Sequence, residues 1–406
     1  MKYEYVIVGG GHAGAAAIEG IRAHDPSGSI LLLARENHPP YQRPPLSRGL
    51  WFGKSTRDQL PIHDEAFYRE RKVELGLRRE AVEIDPEHRC VWDDRGVTYD
   101  YGKLLLATGA RPRRLAVEGA ESESVHYYRS LEDYLFFESY LPRFQHALVL
   151  GAGFIGMEMA AALRHAGKEV TLLYPDEYPL RRILPRELGL FVADYYRERG
   201  VETVSGEGVV RFEERGELIA HTTGGNEVTT QIVLAGIGVE PSTELAEAAG
   251  LEVGNGIEVD EYARTSDPYI YAAGDVAEFP YLALDRRMRI EHWDHAIQHG
   301  KAAGANMAGA NQPYTTMPFF YSDLFDLGWE AVGDVDASFD THAVWKEEHR
   351  EGVILYLSED VVRGALLWNV WDRVDWARQL IREGKPMTTA EREKVVAEAV
   401  PASPEP

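Results

Sequence analysis

Twice in this chain an apolar strand runs through Gly-x-Gly-x-x-Gly into a helix and on to a second strand. The first copy is YVIVGGGHAGAAAIEGIRAHDPSGSILLLARE, with Gly9, Gly11 and Gly14 at the fingerprint spacing. The second is HALVLGAGFIGMEMAAALRHAGKEVTLLYPDE, with Gly151, Gly153 and Gly156. An acid closes each unit: Glu36 lies 22 residues after Gly14, and Asp176 lies 20 residues after Gly156. The first glycine permits a tight turn, the second lets a pyrophosphate approach the backbone, and the third lets helix and strand pack closely. The helix N-terminus then faces the phosphates, and the acid accepts bonds from ribose hydroxyls. A glycine pattern alone is weak evidence, but strand, helix and acid in register make it specific. The expected fold is α/β, with two Rossmann-like dinucleotide-binding units that repeat one function within the chain.

Two shorter signals accompany them. KLLLATGARP (103–112) reads as a strand ending at Ala107, Thr108 and Gly109, and TSDPYIYAAGDVAEF (265–279) as a strand ending at Gly274 and Asp275. Strand ends followed by small residues are where α/β sheets place ligands. From Tyr314 the pattern changes to β-rich runs (GWEAVGDV, GVILYL, VVRGALLW), then an amphipathic helix near 371–383 and a tail, PASPEP, expected to be disordered.

Composition removes several function classes. The only cysteine, Cys90, allows neither an intrachain disulfide nor a redox-active cysteine pair, and excludes a zinc site built on cysteines. The formal charge of −23 disfavours nucleic acid and anionic membranes as partners. Apolar runs such as LLLA are far too short to span a bilayer. A chain that enters a strand at MKYEYVIVGG leaves no room for a signal peptide, so a soluble cytoplasmic protein is expected.

The order of these four signals resembles the two-dinucleotide flavoprotein reductases, the pyridine-nucleotide oxidoreductase superfamily. Within it the chain is most similar to apoptosis-inducing factors and to bacterial ferredoxin reductases of the dioxygenase and putidaredoxin type. The likeness is carried by YQRPPLSRGLW (41–51), YRSLEDY (128–134), GAGFIGME (151–158), IEHWDHA (290–296), FFYSDL (319–324) and GALLWNVWDR (364–373). It implies that the first glycine loop binds FAD and the second binds NAD(P)H, with NADH expected over NADPH because Asp176 and Glu177 would repel a 2′-phosphate. Arg181 and Arg182, five and six residues beyond Asp176, would argue the other way.

The resemblance also implies site residues. FAD would contact Gly9, Gly11, His12, Ala13, Gly14 and Glu36 in the first unit, Arg43, Pro44 and Arg48 in the proline-rich loop, and Val82. It would further contact Ala107, Thr108, Gly109, Arg129, Gly274, Asp275, Glu291, His292, Trp293 and Tyr321. NAD would contact Gly151, Gly153, Phe154, Ile155, Gly156, Glu158, Asp176 and Gly238, with Phe154 packing on the nicotinamide. The two prolines stiffen the RPPLSR loop. The family's lysine at position 48 pairs with a glutamate matching Glu158, so Arg48 and Glu158 are the expected catalytic pair. Arginine for lysine is a departure, because arginine keeps its proton and offers a rigid fork, which favours positioning over proton shuttling. Tyr321 also departs, standing where related proteins often carry tryptophan. His292, His295 and His299 share one helical face, but no carboxylate partner stands out, and no metal is expected.

The expected organisation is an FAD domain from 1–113 and 238–312, an NAD domain from 114–237, a C-terminal α/β domain from 313–400 and the tail 401–406. Hydride would pass from NADH to flavin N5. With no cysteine pair to take the electrons next, they would leave to a ferredoxin, a rubredoxin, a quinone or oxygen. A homodimer is left open. The alternative is a redox-sensing interaction protein like apoptosis-inducing factor, with slow turnover.

Overall fold

The computed structural model describes residues 1–281 and 286–400, and the tail 401–406 lies outside the described residues. By contacts the chain divides into two compact units. The first comprises Met1–Gln42, Arg57–Arg111 and Val239–Pro318, and the second Arg43–Thr56, Pro112–Gly238 and Phe319–Pro406.

In the first unit the strands run in the order Val73–Leu77, Ile30–Ala34, Lys2–Val8, Thr98–Leu106, Cys90–Asp93, Ala81–Asp85, with Ile270–Ala272 also paired to Thr98–Leu106. The pairings among the first four strands and to Ile270–Ala272 are parallel, and the last two strands are antiparallel. Val8 aligns with Leu33 on one side and Leu106 on the other. The runs YVIV, ILLLA and LLL are buried through their length, as expected for parallel strands covered on both faces.

The helix His12–His24 packs on the helix Trp293–Met307 through glycines rather than side chains. A Cβ on Gly20 would strike the carbonyl of Lys301, one on Gly300 that of Ala13, and one on Gly304 that of Ala17. The two backbones are therefore in direct contact, and the helix that begins at the first glycine loop is held in place by another helix.

The second unit contains a five-stranded sheet, Val201–Ser205, Glu169–Tyr174, His146–Leu150, Ile232–Ala235, Val125–Tyr127, parallel throughout. Its core joins Val125, Leu148, Leu150, Leu173 and Val233 to Phe212, Leu218 and Ala220 of a small antiparallel sheet. A separate antiparallel sheet runs Phe319–Leu324, Leu327–Gly333, Val361–Trp368, Glu351–Ser358, Asp340–Glu347. The helix Val374–Glu383 packs on two of its strands. The β-rich runs read from the C-terminal sequence are three of these strands, and the amphipathic helix near 371–383 starts at Val374.

The segment Arg43–Thr56 groups by contact with the second unit, although it sits in sequence between pieces of the first. Local pattern carries no sign of this, because the tethers that hold it are side chains more than 70 residues away, such as Tyr128, whose hydroxyl donates to the Leu46 carbonyl at 2.6 Å.

The glycine-lined helix contact leads to a stability prediction. Gly304→Ala should cost about 1–3 kcal/mol, because the methyl meets backbone that cannot move aside without parting the helices. Urea unfolding followed by circular dichroism checks this, and an unchanged midpoint would show that the helices separate freely.

Candidate dinucleotide and redox site

The two glycine loops solve the same steric problem in the same way. Gly9 adopts φ +127°, and a Cβ there would collide with the Ala107 carbonyl; a Cβ on Gly14 would collide with the Gly9 carbonyl. Gly151 adopts φ +93°, and its Cβ would lie 2.5 Å from the Gly236 carbonyl; a Cβ on Gly156 would collide with the Gly151 carbonyl. At both middle glycines, Gly11 and Gly153, a Cβ would meet nothing within 4 Å. Those two residues are the N-caps of the helices His12–His24 and Phe154–His165. Neither helix has a side-chain cap or an acid in its first turn. By contrast, Asp64, Ser130 and Thr388 cap their own helices with side-chain oxygens. The first-turn N–H groups and the positive end of the helix dipole at each glycine loop thus meet no capping side chain, beside a middle glycine with free space around its Cβ position, which is the arrangement that receives a phosphate.

Around the first loop, Gly274 stands at φ +79° against Ala13 and donates its N–H to His299 Nδ1 at 3.4 Å. The Thr108 hydroxyl is turned to the Ser242 carbonyl at 2.8 Å, and Gly109 adopts φ +69°. Glu36 lies just past the strand Ile30–Ala34, with its carboxylate accepting from the Tyr41 hydroxyl at 2.5 Å. Val82 is half exposed on the strand Ala81–Asp85 at one end of the sheet. Arg289 pairs with Glu291 and donates to the Asp275 carbonyl at 3.0 Å. Gln42 was not singled out from sequence. Its Oε1 accepts from His12 Nε2 at 2.9 Å and from Trp293 Nε1 at 3.0 Å, tying the starts of two helices together.

The helix expected from EHWDHA starts at Trp293, with His292 as its N-cap. His295 and His299 are fully buried, and His295 stacks on Phe279 and His299 on Tyr314. Loss of water pushes the His292 imidazole down to about 4, against the opposing pull of Asp275, and pushes His299 down to about 3. His295 is driven well below the ordinary range by burial and by its two histidine neighbours. Among the described residues no group of His, Cys, Asp and Glu is arranged to hold a metal ion.

In the second unit, Arg43 Nη1 donates to the Arg129 carbonyl at 3.0 Å. The proline-rich loop turns at Pro44–Leu46 and delivers Ser47 and Arg48 beside Glu158. Glu158 is 5% exposed. Its Oε2 accepts from the Ser47 hydroxyl at 2.5 Å and its Oε1 from the Ser322 hydroxyl at 2.7 Å. Arg48 Nε is farther, 3.7 Å from Oε1. The guanidinium also lies 4.3 Å over the Tyr321 ring, donates to the Tyr321 carbonyl at 3.3 Å, and stands 3.8 Å from Asp323. The two departures noted in the sequence, Arg48 and Tyr321, are thus in contact with each other. Phe154 is 37% exposed and meets Phe320 and Trp329, each at 5.7 Å between ring centres. Ile155 follows it in the same helix, and Gly238 adopts φ +100° with its carbonyl accepting from the Arg113 N–H at 3.0 Å. At the rim, Arg181 lies 3.4 Å from Asp176 and Arg186 pairs with Glu177, so both acids carry an internal counterion.

Residues 3–300 match the profile of the pyridine nucleotide-disulphide oxidoreductases. The chain belongs to this family. Segments 303–350 and 345–383 match the C-terminal region of mitochondrion-associated apoptosis-inducing factor. The ferredoxin–NAD(+) reductase component of the anthranilate 1,2-dioxygenase system of Burkholderia cepacia is 37% identical over 81% of this chain and 81% of its own length. Mitochondrial apoptosis-inducing factor 1 of Dictyostelium discoideum is 30% identical over 94% of this chain and 78% of its own. The covalent putidaredoxin reductase–putidaredoxin complex superposes with a TM-score of 0.91 at 31% identity, over 98% of this chain and 97% of that one. Family membership implies a flavoprotein oxidoreductase that uses FAD and a pyridine nucleotide, and the residues fit both groups: each uncapped glycine helix offers a phosphate cradle. A member with a single cysteine, buried Cys90, contains no disulfide of the kind in the family's name.

The buried histidines set an acid limit. Their folded values lie below the ordinary 6.5, so the unfolded chain binds protons that the folded one refuses. Their contribution to stability is full above pH 6.5 and falls below it, by about 1.4 kcal/mol per pH unit for each, down to about 4 for His292 and about 3 for His299. Melting temperature should drop steeply between pH 6.5 and 5 and drop less in His299→Gln. Equal slopes in the two proteins would show that His299 does not contribute.

Proposed function

We propose that the protein is an NADH-dependent, FAD-containing reductase that delivers electrons to a ferredoxin-type iron–sulfur protein. The supporting observation is the presence in one chain of two phosphate cradles and a buried ion pair, with no cysteine pair. FAD would supply the redox chemistry, taking hydride from the coenzyme and releasing electrons to the acceptor. The chain's own residues bind and orient. The first helix and Glu36 would hold the FAD pyrophosphate and ribose, with Asp275 as a further contact. The second helix and Asp176 would hold the coenzyme, with Phe154 available to pack on its nicotinamide. Arg48, kept charged and stacked on Tyr321, is a positioning group rather than a proton carrier. The relatives that name a protein acceptor include a ferredoxin reductase, rubredoxin reductases and the putidaredoxin complex, which favours an iron–sulfur protein or rubredoxin over quinone or oxygen.

A second reading is a redox sensor with slow turnover, favoured by the C-terminal match to apoptosis-inducing factor. Stopped-flow absorbance separates them. Fast bleaching by NADH and fast recovery with an iron–sulfur protein support the reductase. A long-wavelength absorbance that persists after NADH is consumed supports the sensor.

NADH should exceed NADPH in kcat/KM, and Asp176→Ser, which removes the counterion of Arg181, should move the ratio toward NADPH. A wild-type ratio favouring NADPH would show that the arginines decide specificity.

The acceptor's charge is constrained too. Residues 314–406 carry a net charge of −9. Two basic patches elsewhere are candidates, Arg111 with Arg113 and Arg114, and Arg286 with Arg287 and Arg289; within them Arg111 pairs with Glu240 and Glu244, Arg114 lies over the Tyr127 ring, Arg287 donates to the Val259 and Glu278 carbonyls and Arg289 pairs with Glu291. Electron transfer to an acidic ferredoxin should therefore stay level or quicken as salt rises and screens repulsion. A steep fall with salt would reveal a basic docking patch.

A further inference from the structure

We infer that Ser47 and Ser322 are positioning residues of the redox site: their hydroxyls, more than the Arg48 guanidinium, hold the Glu158 carboxylate in its working orientation. This rests on the flavoprotein reading above and extends it to two residues that carry no glycine, charge or aromatic signal.

Glu158 is almost wholly buried, as are Ser47 at 4% and Ser322 at 1% exposure. Each serine donates to a different carboxylate oxygen, at 2.5 and 2.7 Å. Both are ordinary hydrogen-bond lengths for O–H to a charged acceptor. The guanidinium nitrogen at 3.7 Å is outside that range and contributes only Coulomb attraction. Arg48 also spends donors on the Pro44 and Tyr321 carbonyls and faces Asp323. It is therefore shared among several acceptors, whereas the Ser47 and Ser322 hydroxyls both donate to Glu158.

The three residues come from three elements: Ser47 from the proline-rich loop, Glu158 from the helix Phe154–His165, and Ser322 from the strand Phe319–Leu324. The loop end is itself fixed, because the Leu46 carbonyl accepts from both Trp51 Nε1 at 2.7 Å and the Tyr128 hydroxyl at 2.6 Å. Ser47 is thus presented from a stiff support. A carboxylate with one donor on each oxygen has its plane set as well as its position. Removing a serine frees that plane, and Glu158 can then turn toward Arg48 and draw the guanidinium off Tyr321. The role is distinct from general packing, because it acts through one acceptor.

The test uses the FAD-loaded protein with Ser47→Ala, Ser322→Ala and both, each also made in Glu158→Gln. The readouts are the limiting rate of bleaching by NADH, the NADH dissociation constant, the melting temperature, and FAD affinity from fluorescence quenching on titrating the apoprotein. Each single change should lower the limiting rate about 3- to 10-fold, the size of one ordinary hydrogen bond, with FAD affinity unaltered. In Glu158→Gln the same changes should have little further effect on the rate. Losses of the same size in that background would overturn the proposal, as would lower melting temperatures with an unchanged limiting rate. If Ser322→Ala does not fold, Ser47→Ala, on a loop, decides alone. Failure of wild-type apoprotein to take up FAD would instead overturn the flavoprotein reading, with the serine comparison never reached.

Discussion

A carboxylate buried on the second glycine helix is the constraint on which this part of the structure turns. An ionised group taken out of water costs several kcal/mol unless its lone pairs are met. Glu158 meets that demand from segments 111 and 164 residues away in sequence, Ser47 and Ser322. The proline-rich loop and the C-terminal sheet are thereby joined to one helix, and this accounts for the grouping of Arg43–Thr56 with the second unit. A residue that looks like a late addition to a nucleotide fingerprint is also a fastening point for the fold.

The glycine loops work by the opposite means, since what matters there is the absence of atoms. Gly9, Gly14, Gly151 and Gly156 allow carbonyls to come where a methyl could not fit, and Gly20, Gly300 and Gly304 allow two helices to touch backbone to backbone. The helix that starts at Gly11 is thus fixed from both ends of its first three turns. A rigid helix with an uncapped start keeps its N–H groups aligned without a ligand, so less ordering is needed when an anion arrives.

Much of this was legible because it is local. Strand, turn, helix and acid follow each other within about 30 residues, a span over which periodicity and glycine spacing are direct readouts of backbone geometry. The α/β class, the two nucleotide loops and the C-terminal strands come from such runs, whereas the Arg48–Glu158 pairing was legible only through the family resemblance carried by RPPLSR and GAGFIGME. The roles of Gln42, Ser47 and Ser322 were not legible. Each is a polar residue of common type whose partner is distant in sequence, and a hydrogen bond between distant residues leaves no periodic trace. The same blindness hid the Arg181–Asp176 and Arg186–Glu177 pairs, where composition showed acids and arginines but not which faced which.

Those two rim pairs give the nucleotide edge of the second unit a property of its own. Because Arg181 lies 3.4 Å from Asp176 Oδ1, a hydroxyl that reaches for that oxygen competes with a tethered cation present at high effective concentration. The loop would in that sense compete with a ligand for its own carboxylate, and only weakly, since exposed ion pairs are worth little. Ions in the surrounding solution compete with that tether, so the medium itself can adjust how readily the rim gives way.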